Sequence, residues 1–194
     1  MLEMTRSVAR ASWVLVVGAA LGGCGGAGQI DTSLNSPISN SDTFATIGYL
    51  WAGVRSAILA KREPSTDTFS LALAYGYSCV RGGQGSYQGT LAGTKSAGRG
   101  SAVLSVTGTL AACQFEEINA LTTITASGLS ASGPVAVVSD QWDAITIHLV
   151  ATAVTVNGVV CPGGVDVTIT ATAPSAQPVS TGTACGRTGA VTLP

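Results

Sequence analysis

From Phe69 to Cys79 the chain alternates without a break. Phe69, Leu71, Leu73, Tyr75, Tyr77 and Cys79 take the odd positions, and Ser70, Ala72, Ala74, Gly76 and Ser78 lie between them. A side-chain period of two belongs to a strand with one buried face. Ten residues of such alternation are incompatible with a helix, whose buried positions recur every three or four residues. The spacing therefore commits this stretch to a sheet, with Cys79 on the same inner face as the large side chains. Further strands are expected at 86–92, 101–112, 119–127, 134–139, 144–156, 159–161, 165–172 and 188–193. Asn157-Gly158, between Val154-Thr155-Val156 and Val159-Val160, predicts a two-residue hairpin turn. Gly82-Gly83, Gly163-Gly164 and Ser132-Gly133-Pro134 mark further turns.

One segment follows a different period. Phe44, Ile47, Trp51, Val54 and Ile58 recur at steps of three and four, which places them on one face of a helix over about 42–62. Ser41 or Asp42 is positioned to cap it, Lys61 and Arg62 suit its C-terminal dipole, and Pro64 stops it. Gly48 and Gly53 weaken the helix and let another element come close. The expected fold is mainly β: an antiparallel sheet, curved or partly closed, with one N-terminal amphipathic helix packed on it.

Cys79, Cys113, Cys161 and Cys185 sit in two similar settings. Cys79-Val80-Arg81-Gly82-Gly83 is matched by Cys161-Pro162-Gly163-Gly164, and Thr107-Gly108-Thr109 before Cys113 by Thr181-Gly182-Thr183 before Cys185. The repeat favours the bridges Cys79–Cys113 and Cys161–Cys185 over the other two connectivities. A metal site is the alternative, but the closely spaced cysteine pairs typical of zinc are missing.

The N-terminus has its own pattern. Arg6 and Arg10 precede an apolar run from Ala11 to Leu21, followed by Leu21-Gly22-Gly23-Cys24. A run of eleven residues is too short to span a bilayer, which takes ~20 apolar residues. The arrangement resembles a bacterial lipoprotein signal peptide with its lipobox. That resemblance covers residues 1–24 and implies cleavage before Cys24, a diacylglyceryl group on its thiol and a lipid anchor in the cell envelope. Gly25 after the cysteine favours the outer membrane of a Gram-negative cell. Residues 24–41 then read as the lipidated cysteine and a flexible tether, whose sixteen residues 25–40 would span ~20–24 Å as a coil. Residues 42–194 form a single domain. The mature part in turn resembles uncharacterised envelope lipoproteins that place a helix before a Cys…Gly-Gly β-rich repeat.

Composition narrows the function. Charged residues make up 10% of the chain, far below the usual ~25%. Loss of residues 1–23 removes Glu3, Arg6 and Arg10 and moves the net charge from −1 to −2. No basic block offers a footprint for nucleic acid. His148, the single histidine, lies in Ile145-Thr146-Ile147-His148-Leu149 with the parity of a solvent-facing residue. Gly128-Leu129-Ser130-Ala131-Ser132 misses the last glycine of a nucleophile elbow. Gly83-Gln84-Gly85-Ser86-Tyr87-Gln88-Gly89 places its last glycine one position late for a dinucleotide loop and precedes no helix. Glu116-Glu117 and Asp140/Asp143 are the nearest approach to a carboxylate pair, and Trp142 between the latter two is expected to pack on the core.

No catalytic residue, metal or cofactor is assigned on this basis. The leading reading is a non-enzymatic structural or interaction module with an envelope protein partner. The alternative is a carrier of an apolar, lipid-like ligand lined by Trp51, Phe69, Leu71 and Leu73. A carboxylate-based hydrolase ranks third.

Overall fold

The computed structural model describes residues 36–59, 67–117, 120–138, 141–172 and 176–193. It consists of one helix, α1 (Asn40–Leu59), and strands β1 (Thr68–Ser78), β2 (Gln84–Ser96), β3 (Arg99–Glu117), β4 (Ala120–Val138), β5 (Gln141–Val156), β6 (Val159–Val160), β7 (Val165–Ala171), β8 (Val179–Ala184) and β9 (Arg187–Thr192). All pairings are antiparallel, in the order β1-β2-β3-β4-β5-β7-β8-β9, with β6 on β5. The sheet is open, ending at β1 on one side and β9 on the other.

The alternation read from the sequence sets the inner face. Phe69, Leu73 and Cys79 are buried, with Leu71, Tyr75 and Tyr77 packed against the same core. Leu104 and Leu110 of β3, Ile124 and Leu129 of β4, Ile147 and Leu149 of β5 and Ile169 of β7 continue that face across the sheet. Helix α1 lies on it with Ile47, Leu50, Trp51, Val54 and Ile58 buried, while Phe44 is half-buried. Tyr49 stacks on Phe115 of β3.

Curvature is visible in one contact. In a flat sheet β1 and β5 would stand about 19 Å apart, four strand spacings of ~4.8 Å. The rings of Phe69 on β1 and Trp142 on β5 nevertheless have centroids 6.2 Å apart. Irregularities bend the strands: the β3–β4 register shifts between Gly108 and Cys113, beside Ala112 (φ 48°) and Gly128 (φ 59°). Bulges of this kind increase local twist and let a sheet curl.

Three sequence expectations are corrected. Helix α1 begins at Asn40, and its cap is Ser39, whose Oγ accepts the Asp42 N–H (3.0 Å) and donates to the Asp42 carboxylate (2.7 Å). Ser41 and Asp42 lie within the first turn; Lys61, Arg62 and Pro64 lie outside the described residues. Segments 119–127 and 134–139 form one strand, β4. Gly133 (φ 147°) and Pro134 stay in the sheet opposite Leu104 and Val103 of β3, and the pairing with β5 keeps its register from Ser132↔His148 to Val135↔Ile145. Strand β8 lies outside the strands expected from the sequence, because Ser180, Gly182 and Ala184 give it an inner face with no large side chain to mark it.

Both disulfides form as expected, Cys79–Cys113 and Cys161–Cys185. Their surroundings match. Gly82 N–H donates to the Cys79 carbonyl and Gly164 N–H to the Cys161 carbonyl; the Gly82 carbonyl then accepts Gln114 N–H, and the Gly164 carbonyl accepts Cys185 N–H. The Asn157-Gly158 hairpin also forms, with φ of 52° and 79°. The chain enters the domain beside the second bridge: Ser36 Oγ donates to the Cys185 carbonyl (2.6 Å), and Arg187 donates to the Ile38 carbonyl from Nε and Nη2.

Candidate functional site

The inner face belongs to the core, so the outer face of the sheet carries the accessible chemistry. Strand parity turns Ser86 and Gln88 of β2, Thr107 and Thr109 of β3, and Ser130 of β4 outward. Registers Gln88↔Thr107 and Thr107↔Ser130 align them across adjacent strands. Ser86 and Thr109, also opposite one another, share a hydrogen bond of 3.0 Å. These residues, with Ala74, Gly76, Gly108 and Gly128, line a shallow groove of about 750 Å³. No lining residue carries a charge at neutral pH. The groove surface is mostly apolar, with the hydroxyls and the Gln88 amide set among small side chains, Tyr75, Tyr87 and Leu129. It has no nucleophile–base pair.

The floor is held by tyrosines turned the other way. Tyr77 stands opposite Gly85 and Tyr87 opposite Gly108. A Cβ on Gly85 would meet the Tyr77 ring at 2.4 Å, and one on Gly108 would meet the Tyr87 ring at 2.7 Å. Each glycine thus leaves room for an aromatic ring lying over its strand. The Tyr87 hydroxyl donates to the Leu50 carbonyl of α1 at 3.3 Å. Burial pushes the Tyr87 hydroxyl far above its ordinary range, with Tyr77 adding to the effect. Burial also raises Tyr77, partly offset by its hydrogen bond with Tyr87 and reinforced by Tyr75. Both therefore stay neutral at physiological pH. The glycines of 83–89 accordingly have structural work: Gly83 runs against the backbone of Ala112 and Gly85 lies under Tyr77.

His148 is exposed, as its parity predicted, and its Nε2 lies 2.7 Å from Asp166 Oδ1 of β7. Ser132 stands opposite His148 in the register, but the histidine's Nε2 already faces the carboxylate and no hydrogen bond joins it to the serine. Both members of the pair are more than half exposed, so it is a surface contact worth ~1 kcal/mol or less. Asp166 was not foreseen as its partner, since 18 residues separate the two and only the β5–β7 pairing joins them. Glu116 pairs with Arg81, whose Nε lies 2.8 Å from the carboxylate. Asp140 and the side chain of Glu117 lie outside the described residues. Trp142 packs partly buried against the core, as expected.

Of the proposed apolar lining, Trp51, Phe69 and Leu73 are buried in the core and Leu71 is half-buried against it; none lines the groove. The Trp51 indole N–H is buried and has no hydrogen-bond partner among the described residues. Cys24 lies outside the described residues. Among the described residues no group of three or more His, Cys, Asp or Glu side chains is placed to hold a metal, and no helix is long and apolar enough to cross a membrane.

The described residues form one helix on an open antiparallel sheet whose outer face carries an uncharged groove and the His148–Asp166 pair. No family model, curated protein or solved structure matches the chain.

Proposed function

We propose that this chain is a lipid-anchored protein of the bacterial cell envelope, acting as a non-enzymatic structural or interaction module. The observation that carries the reading is Leu21-Gly22-Gly23-Cys24 directly after an eleven-residue apolar run. The two disulfides support it, because such bridges persist in oxidising compartments outside the cytoplasm. The outer sheet face, with aligned hydroxyls and no charge in its groove, is the surface on which a partner would settle. Gly25 favours the outer membrane as the destination.

Mass spectrometry of the N-terminal peptide tests the anchor. Diacylglyceryl-Cys24 at the new N-terminus is expected, and Cys24→Ala should abolish it. An unmodified cysteine, or a peptide cut elsewhere, overturns the reading.

A carrier of an apolar ligand is the second reading; Trp51, Phe69 and Leu73 of its proposed lining are buried in the core and do not line the groove. Native mass spectrometry of residues 25–194, exported to an oxidising periplasm and purified without detergent, separates the two. A bare protein mass lacking four thiol hydrogens supports the module. A co-purifying mass lost on denaturation supports the carrier.

A further inference from the structure

We infer that the end of the domain bearing both disulfides rests on the surface of the lipid bilayer, with Val80, Leu121, Val159 and Val160 as the contacting side chains. The inference rests on the lipid-anchor reading above and deepens it by assigning the face turned to the membrane.

Seven large apolar side chains are exposed among the described residues, and these four are at one end of the sheet. Val80 is 79% exposed and Val160 68%, the two highest values in the set. They are not scattered along that end. Arg81, next to Val80, pairs with Glu116. Glu116 stands opposite Leu121 on β4. Two residues on, Thr123 exchanges hydrogen bonds with Asn157 at the tip of the β5–β6 hairpin. The hairpin carries Val159 and Val160 and leads into Cys161, which bridges to Cys185. The Cys185 carbonyl accepts the Ser36 hydroxyl at the point where the chain enters the domain. A continuous series of contacts thus joins the exposed valines to the anchor's point of entry.

Chain length and charge agree with a lipid surface. Twelve residue steps separate Cys24 from Ser36, a reach of at most ~43 Å and ~17–21 Å as a coil. A tether this short gives the docking step an effective concentration on the order of millimolar, so a weak apolar contact suffices. Arg81 and Glu116 neutralise each other, and the Arg187 guanidinium is engaged by the Ile38 carbonyl. The end thus offers small apolar tips, the Arg81–Glu116 pair, the Arg187 guanidinium and the acidic residue Glu117, a mixed, near-balanced charge suited to the interfacial zone of a zwitterionic membrane. The groove on the outer sheet face stays open to the aqueous side.

The test uses the full acylated chain in phosphatidylcholine vesicles, with the photoreactive residue p-benzoylphenylalanine placed singly at Val80, Val160, Val103 or Val179. All four sites are exposed, so folding is preserved. Irradiation should give protein–phospholipid adducts at 80 and 160 at least tenfold above those at 103 and 179. As a second measurement, amide exchange at 157–160 should slow on vesicles in the parent and not in a Val80→Ser/Val160→Ser variant. Equal adduct yields at the four sites, with the protein still floating with the vesicles, overturn this inference alone. A mature chain that does not float with vesicles overturns the anchor reading and this inference with it.

Discussion

The ring of Tyr87 fills the space that a side chain on Gly53 would need. A Cβ built on Gly53 would lie 2.3 Å from Tyr87 Cε2, Cζ and Oη, and the same hydroxyl donates to Leu50 one turn earlier in α1. Helix and sheet are thereby seated at one point, with a glycine on one side and an aromatic on the other. Tyr87 is only 2% exposed and tied by its hydroxyl, so the ring has nowhere to move.

Gly53→Ala should therefore destabilise the domain. Helix propensity alone favours alanine by up to ~1 kcal/mol, but overpacking a buried contact costs ~1–3 kcal/mol. A net loss of about 1–2 kcal/mol is expected, read as a lower midpoint in urea unfolding. Tyr87→Leu removes the clash at the expense of its own packing. The double variant should then be less destabilised than the sum of the two singles. Additive losses would show that the ring does not set the approach of the helix.

Tyr87 also predicts alkaline sensitivity. Its folded-state pKa is raised from an ordinary 10.0, so the neutral hydroxyl is favoured by folding. That contribution is full below the unfolded pKa and is lost as pH rises beyond about 10 towards the folded value. Stability should fall steeply above pH 10, and Tyr87→Phe should flatten that fall while costing ~0.5–1.5 kcal/mol at neutral pH. Equal alkaline slopes in the two proteins would place the titration elsewhere.

The disulfides close loops with sequence separations of 34 and 24. Chain entropy assigns each about 3–4 kcal/mol. Cys79→Ala/Cys113→Ala should lower unfolding stability by that order, and peptide mapping without reductant should recover the two pairings and no crossed one.

Ser39→Ala removes the oxygen that accepts the Asp42 N–H. A loss of ~1 kcal/mol is expected, measured by thermal unfolding. Ser41→Ala, within the first turn, should cost less, and the reverse order would move the cap back to Ser41.

Local patterns in the chain determined a great deal. Alternation from Phe69 to Cys79 marked β1 and its buried face, the three-and-four spacing from Phe44 to Ile58 marked α1, and the Cys…Gly-Gly repeat marked both bridges. These features depend on neighbours within a turn or a hairpin, so the physics that creates them is written in adjacent residues. Tertiary structure alone decided the rest. Ser132-Gly133-Pro134 has turn composition, but β3 and β5 on either side hold it in the sheet. His148 meets Asp166, and Gly53 meets Tyr87, because strand registers bring distant residues together. The groove arises from small outward side chains on four strands whose curvature no single segment encodes. Register and curl are collective properties of nine strands settling on one helix, and they place groups whose sequence positions carry no mark of one another.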